Sequence, residues 1–163
     1  RVSFLPVEKE MQSSTSDKTN LQEAQLIAAL VEATYRLYKE NQLDFNSQKS
    51  IGVIVPYRHQ ISTIRQCLQR YNNESLMEIA IDTVERFQGS QRDVIVYGFT
   101  VSKPYQLDFL TNNVYEDETG QMIDRKLNVA LTRARELLVI VGSKKIMERN
   151  ELFSQLLKYE VRL

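Results

Sequence analysis

Three short runs constrain this chain most: Ile51-Gly52-Val53-Ile54-Val55, Asp93-Val94-Ile95-Val96-Tyr97-Gly98-Phe99 and Leu137-Leu138-Val139-Ile140-Val141-Gly142. Each is apolar at nearly every position and rich in β-branched residues. A strand with one wet face alternates polar and apolar residues. A run without alternation is buried on both faces, which points to a parallel sheet covered by helices. A weaker run within residues 78–83 (Ile79, Ala80, Ile81) and a short one at 2–7 complete the strand set.

Segments of helical spacing lie between these runs. Ile27, Leu30, Val31, Thr34, Tyr35 and Tyr38 follow a start near Asn20, where Asn20 and Glu23 have the spacing of an N-cap and its capping-box partner. The polar stretch 41–50 ends that helix. Residues 57–71 place Ile61, Ile64, Leu68 and Tyr71 on one side, and residues 122–135 do the same with Ile123, Leu127, Ala130, Leu131 and Ala134. A short helix is expected over 151–159, and residues 8–19 and 102–120 read as loops. This order predicts an α/β fold: one domain over 1–163, a three-layer sandwich with a mostly parallel sheet and helices on both faces.

Composition narrows the chemistry. No apolar run approaches the roughly 18 to 20 residues needed to cross a bilayer, and residues 1–6 lack the apolar segment of a signal peptide. One cysteine, Cys67, and one histidine, His59, leave no internal disulfide, no Cys- or His-based metal site and little scope for nucleophilic catalysis. The expected location is cytoplasmic, or nuclear in a eukaryote. The formal net charge of zero means that any polyanion is held by a local patch or with a neighbouring domain.

Open parallel sheets bind ligands at the carboxyl ends of their strands, and that rule singles out three stretches. In Pro56-Tyr57-Arg58-His59-Gln60 the proline suits a strand-to-helix corner, whose backbone N–H groups can hold phosphate. The connection from Asp82 to Asp93 concentrates charge and amide, with Gly89 able to approach a ligand closely. The third is Leu127-Asn128-Val129-Ala130-Leu131-Thr132-Arg133-Ala134-Arg135. On one helix, Arg133 and Arg135 project about 100° to either side of the apolar stripe, so one can contact a ligand while the other is structural. Two arginines at a helix end can also simply answer its dipole.

In this order the stretches resemble the C-terminal motor domain of superfamily 1B helicases. Residues 52–60 resemble the family's strand, Pro-Tyr corner and following Gln. Residues 83–96, with Phe87-Gln88-Gly89 and then Asp93, resemble motif V, and residues 127–135 match motif VI closely. Asn20-Leu21-Gln22-Glu23-Ala24 resembles the family's upstream helix start. The resemblance spans about residues 1–145 and implies a RecA-like domain, one piece of a longer chain. Arg133 would be the arginine finger, Gly89 and Gln91 would approach the nucleotide, and Pro56, Tyr57, Gln60, Asp82, Thr83 and Gln88 would line a groove for one strand of DNA or RNA. Asp82, which repels phosphate, would orient a loop donor. Many relatives carry Glu where this chain has Gln91, and the acidic stretch Glu116-Asp117-Glu118 lies in a longer connection than many relatives have.

The chain contains no Gly-x-x-x-x-Gly-Lys-Ser/Thr loop and no strand ending in an Asp-Glu pair. ATP and Mg2+ would therefore be held mainly by the first RecA-like domain of the same chain, with Arg133 reaching them from the carboxyl edge of this sheet. By itself the fragment should hydrolyse no ATP. The alternative is a helicase-derived binding module without motor function. A stand-alone small-molecule enzyme is disfavoured, since neither Cys67 nor His59 has an evident partner.

Overall fold

The computed structural model describes residues 1–7, 18–87, 91–110, 114–116, 118–119 and 122–158. The unalternating runs form the interior of a five-stranded, all-parallel sheet. Its strands are β1 (Val2–Pro6), β2 (Ile51–Val55), β3 (Ala80–Thr83), β4 (Arg92–Gly98) and β7 (Ala134–Gly142), in the order β1-β7-β4-β2-β3. Burial follows the pattern that predicted them: every residue of β2 is buried, as are the last four of β4 and the last five of β7.

Two helical layers cover the faces. On one face lie α1 (Leu21–Glu40), α2 (Arg58–Gln69) and the single turn α3 (Glu74–Met77). Their Ile27, Val31, Ile64, Leu68 and Leu76 pack on Ile51, Val53, Val55, Val96 and Val141. On the other lie α4 (Pro104–Leu110), α5 (Arg125–Arg133), α6 (Lys144–Met147) and α7 (Glu151–Lys158). Leu107, Leu127, Ala130, Met147 and Phe153 pack there on Ile54, Ile95, Tyr97 and Ile140. The Phe99 ring meets Phe153 edge-on, centroids 4.8 Å apart, and seats α7. Two apolar clusters on the two faces make the three layers expected of the sequence.

Some boundaries differ from the sequence reading. The segment 102–120 is not all loop, since it holds α4 and then β5 (Val114–Glu116). That strand pairs antiparallel with β6 (Met122–Asp124) as a separate ribbon. The helix expected over 122–135 is only Arg125–Arg133: its first three residues belong to β6, while Ala134 and Arg135 begin β7. Asp124 caps the shortened helix, accepting from the N–H groups of Lys126 at 2.8 Å and Leu127 at 3.3 Å. Arg133 and Arg135 are therefore not flanks of one helix. One ends α5 and the other lies on a strand. The terminal helix is seen over Glu151–Lys158, and residue 159 lies outside the described residues.

Among the described residues no helix is long and apolar enough to cross a membrane. Cys67 is buried with the apolar face of α2, and that burial pushes its thiol pKa up. His59 is exposed.

Candidate functional site

The parallel sheet has two distinct edges, and the candidate residues divide between them. At the carboxyl edge, β2 runs through Pro56 and Tyr57 into α2, and β3 ends at Thr83. Val55 pairs with Thr83, so the two exits are neighbours. Pro56, Tyr57, Arg58, His59, Thr83, Glu85, Arg86 and Lys18 line an open cleft of about 440 Å³. No side chain caps the α2 N-terminus, which faces its helix dipole toward this cleft. Asp82 accepts a hydrogen bond from the Thr83 N–H at 2.8 Å. Glu85 leans away to Lys126 at 3.4 Å, and that pair with local hydrogen bonds holds its carboxyl below the usual range against a partial desolvation. The cleft thus offers cations, a helix N-terminus and an aromatic ring.

Gln60 does not belong to that lining. It is fully buried, its carbonyl accepting from the Asn20 N–H at 2.8 Å and its amide donating to the Asn20 carbonyl at 2.9 Å. A side chain so engaged and fully buried staples α1 to α2 and does not reach the surface of the cleft. Glu23 also departs from expectation. Asn20 does cap α1, accepting from the Glu23 N–H at 3.0 Å, but Gln60 takes the Asn20 N–H that a capping box would give to Glu23. The Glu23 carboxyl is instead fully buried against Thr100. It accepts from the Thr100 N–H at 2.8 and 2.9 Å and pairs with its hydroxyl at 3.2 Å. Burial outweighs these bonds and raises the Glu23 pKa to about 8. The contact holds Thr100 at φ +53°, left-handed geometry that a β-branched residue adopts only under constraint. Sequence spacing found the cap and missed the buried acid. Its one local signal was a Glu on the apolar side of an amphipathic helix.

At the amino edge the neighbours are Gln91, Arg92, Arg133 and Arg135. This overturns the expectation that Arg133 lies at the carboxyl edge. A residue placed directly before a strand must sit at that strand's start, and Arg133 precedes Ala134, which pairs with Arg92, the first residue of β4. Arg133 is half-buried, and its Nε is enclosed without a hydrogen-bond partner. The Gln91 amide donates to the Thr132 carbonyl at 3.4 Å. Arg135 takes the other course. It lies 3.9 Å from Asp93, which also accepts from the Tyr38 hydroxyl at 2.9 Å, so it serves the packing of β7, β4 and α1. Of the two motif VI arginines, Arg133 is the one with a buried donor that has no partner among the described residues. Gln88 and Gly89 lie outside the described residues.

The connection from Thr83 to Arg92 joins the two edges. It turns at once, with the Arg86 and Phe87 N–H groups donating to the Thr83 carbonyl at 3.0 and 2.9 Å. Phe87 is buried and would touch a Cβ at Gly52, near the amino end of β2. A single segment therefore touches both candidate sites.

These features define a three-layer α/β domain with a cleft lined by cations at one edge and arginines with unpartnered buried Nε atoms, among the described residues, at the other. Comparison with known proteins agrees. A family model described as an AAA domain matches residues 1–145. The helicase sen1 of Schizosaccharomyces pombe is 31% identical over 150 residues, 91% of this chain and 8% of that protein. RNA helicase Mov10l1 of Mus musculus is 36% identical over 122 residues, 71% of this chain and 9% of its own. DNA polymerase alpha-associated DNA helicase A of Saccharomyces cerevisiae is 36% identical over 112 residues, 68% and 14% respectively. The chain belongs to the AAA domain family, as the RecA-like motor domain of superfamily 1 helicases that carries motifs V and VI. It spans less than a sixth of the length of each of these relatives.

Proposed function

We propose that this domain is the second motor domain of an ATP-dependent helicase, gripping one nucleic-acid strand at its carboxyl edge and stabilising ATP hydrolysis from its amino edge. The observation that carries this reading is Arg133: a guanidinium held at a helix terminus on the rim of the sheet, its Nε enclosed and unpartnered, beside Gln91. The donors there, guanidinium and amide, fit phosphate oxygens and nucleotide hydroxyls. Asp93 at this edge is engaged by Tyr38 and Arg135, and Mg2+ is assigned to the first domain. ATP supplies the phosphoryl bond that is cleaved. Arg133 would meet the charge that spreads over the γ-phosphate oxygens, the part played by an arginine finger.

The strand would lie along the cleft at the opposite edge. Arg58 and Arg86 would neutralise phosphates, Tyr57 offers a face on which a base can stack, and the α2 N-terminus offers backbone N–H groups. All of these contacts ignore sequence, as translocation requires. The two tasks sit on opposite rims of one rigid sheet, and the motif V segment runs between them. Domain closure on ATP would thereby shift the grip on the strand.

Replacing Arg133 by Ala in the full-length protein should lower strand-stimulated ATP turnover by about 10³-fold or more while leaving nucleotide binding largely intact. Unchanged turnover would remove the finger assignment; a binding module without motor function would instead be indifferent both to that substitution and to ATP altogether.

A further inference from the structure

Resting on the reading that the amino edge faces a nucleotide, we propose that Arg92 is a second phosphate-binding arginine of that edge, forming with Arg133 a two-armed site for oxyanions of the phosphate chain. Arg92 is only 5% exposed. Among the described residues it enters no salt bridge, and its Nε has no hydrogen-bond partner. Its contacts are a hydrogen bond from Nη1 to the Gln91 carbonyl at 3.1 Å and the ring of Phe87, 5.5 Å from the guanidinium carbon. The neighbouring charge that bears on it is another cation: burial and Arg135 both push its pKa down. A buried cation without a counter-charge is strongly unfavourable, and an apolar residue of similar volume would serve stability better.

The fold nevertheless makes room for it. Gly52 stands within a fully buried strand, where glycine weakens packing. A Cβ there would come within 2.5 Å of Phe87 Cζ and 3.2 Å of Arg92 Cγ. The missing side chain lets the Phe87–Arg92 stack lie across β2. A stacked guanidinium is oriented in advance and weakly hydrated, which suits a phosphate removed from water. In the β4–β7 register Arg92 pairs with Ala134, the residue after Arg133, so both arginines, each with a buried Nε lacking a partner among the described residues, start from the same rim. The missing member of this arrangement is an anion with several oxygens. Arg92, fixed by its stack, holds the bound ground state; Arg133 answers charge that develops during hydrolysis.

The test uses the full-length protein with Arg92→Met and Arg92→Lys, a non-hydrolysable ATP analogue and a single-stranded oligonucleotide. Arg92→Met is expected to weaken analogue binding by about tenfold or more, with nucleotide-free strand affinity within about twofold of wild type. Its unliganded Tm should hold or rise, because a buried charge is gone, while the analogue-induced rise in Tm is lost. Arg92→Lys should restore part of the affinity. Unchanged analogue affinity in Arg92→Met overturns the proposal, as does a fall in strand affinity alone or a fall in Tm with the analogue-induced shift intact. Should Arg92→Met not fold, Arg92→Lys carries the test: a several-fold weaker analogue affinity supports the proposal, and an unchanged one overturns it. The two readings fail separately. If Arg133→Ala lowers turnover while Arg92→Met leaves analogue binding unchanged, only the role of Arg92 falls. If Arg133→Ala leaves turnover intact, the finger assignment falls first.

Discussion

Glu23 is the residue whose chemistry departs furthest from its sequence context. Its folded pKa stands near 8 against an ordinary 4.5, so between those values the folded protein holds a proton that the unfolded chain releases. Stability from this group is therefore fully present below about pH 4.5 and is lost as pH rises through about 8. When protonated, the carboxyl still accepts from the Thr100 N–H, and the Thr100 hydroxyl can reverse to accept its proton. Glu23→Gln reproduces that pattern without titrating. We expect the thermal unfolding of Glu23→Gln to be flatter with pH than that of wild type, the two curves diverging as pH climbs from 5 to 8. Parallel curves would show that Glu23 does not titrate in this window. The sequence signalled an acid near a helix start, and the nearest partner in spacing was the cap. The real partner is 77 residues away, at a distance where local rules have no grip. Gln60 went astray in the same way. An amide after a Pro-Tyr corner suggests a strand contact until tertiary packing places the Asn20 backbone against it.

At the scale of elements, α5 decides where the candidate finger stands. It has only nine residues, too short to be stable by its own hydrogen bonds. Its register therefore depends on packing of Leu127 and Ala130 and on the Asp124 cap. Asp124→Ala should destabilise the domain by about 1 kcal/mol, and Asp124→Asn, which can still accept from the Lys126 and Leu127 N–H groups, should recover most of the loss. Urea denaturation of the three proteins measures this; equal losses for Ala and Asn would assign the effect to charge. The apolar period that predicted a helix over 122–135 does continue past both ends. What truncates it is pairing, since Met122 faces Glu116 and Ala134 faces Arg92. A ladder formed with a distant strand overrides local propensity, and no property of residues 122–135 alone announces it.

Across the whole molecule the sheet acts as a spacer between two chemistries. A chain with no net charge can hold a polyanion only where its cations gather, and Arg58 and Arg86 gather at the cleft. Single-strand affinity falls with salt at a log–log slope of about −0.7 per phosphate neutralised. The double variant Arg58→Ala/Arg86→Ala in the full-length protein should thus shallow that slope by about 1.4, as read from binding isotherms across a salt series. An unaltered slope would detach this cleft from the strand. The amino-acid order by itself determined the five strands of the parallel sheet, the three layers and the motif set, because element type follows from a period of two, a period of 3.6 or no alternation at all, and each is readable within a few residues. Only the tertiary structure decided that Gln60 and Glu23 are interior and that Arg92 is buried with no counter-charge among the described residues. Those outcomes depend on which distant strands lie in register, and no local pattern carries that information.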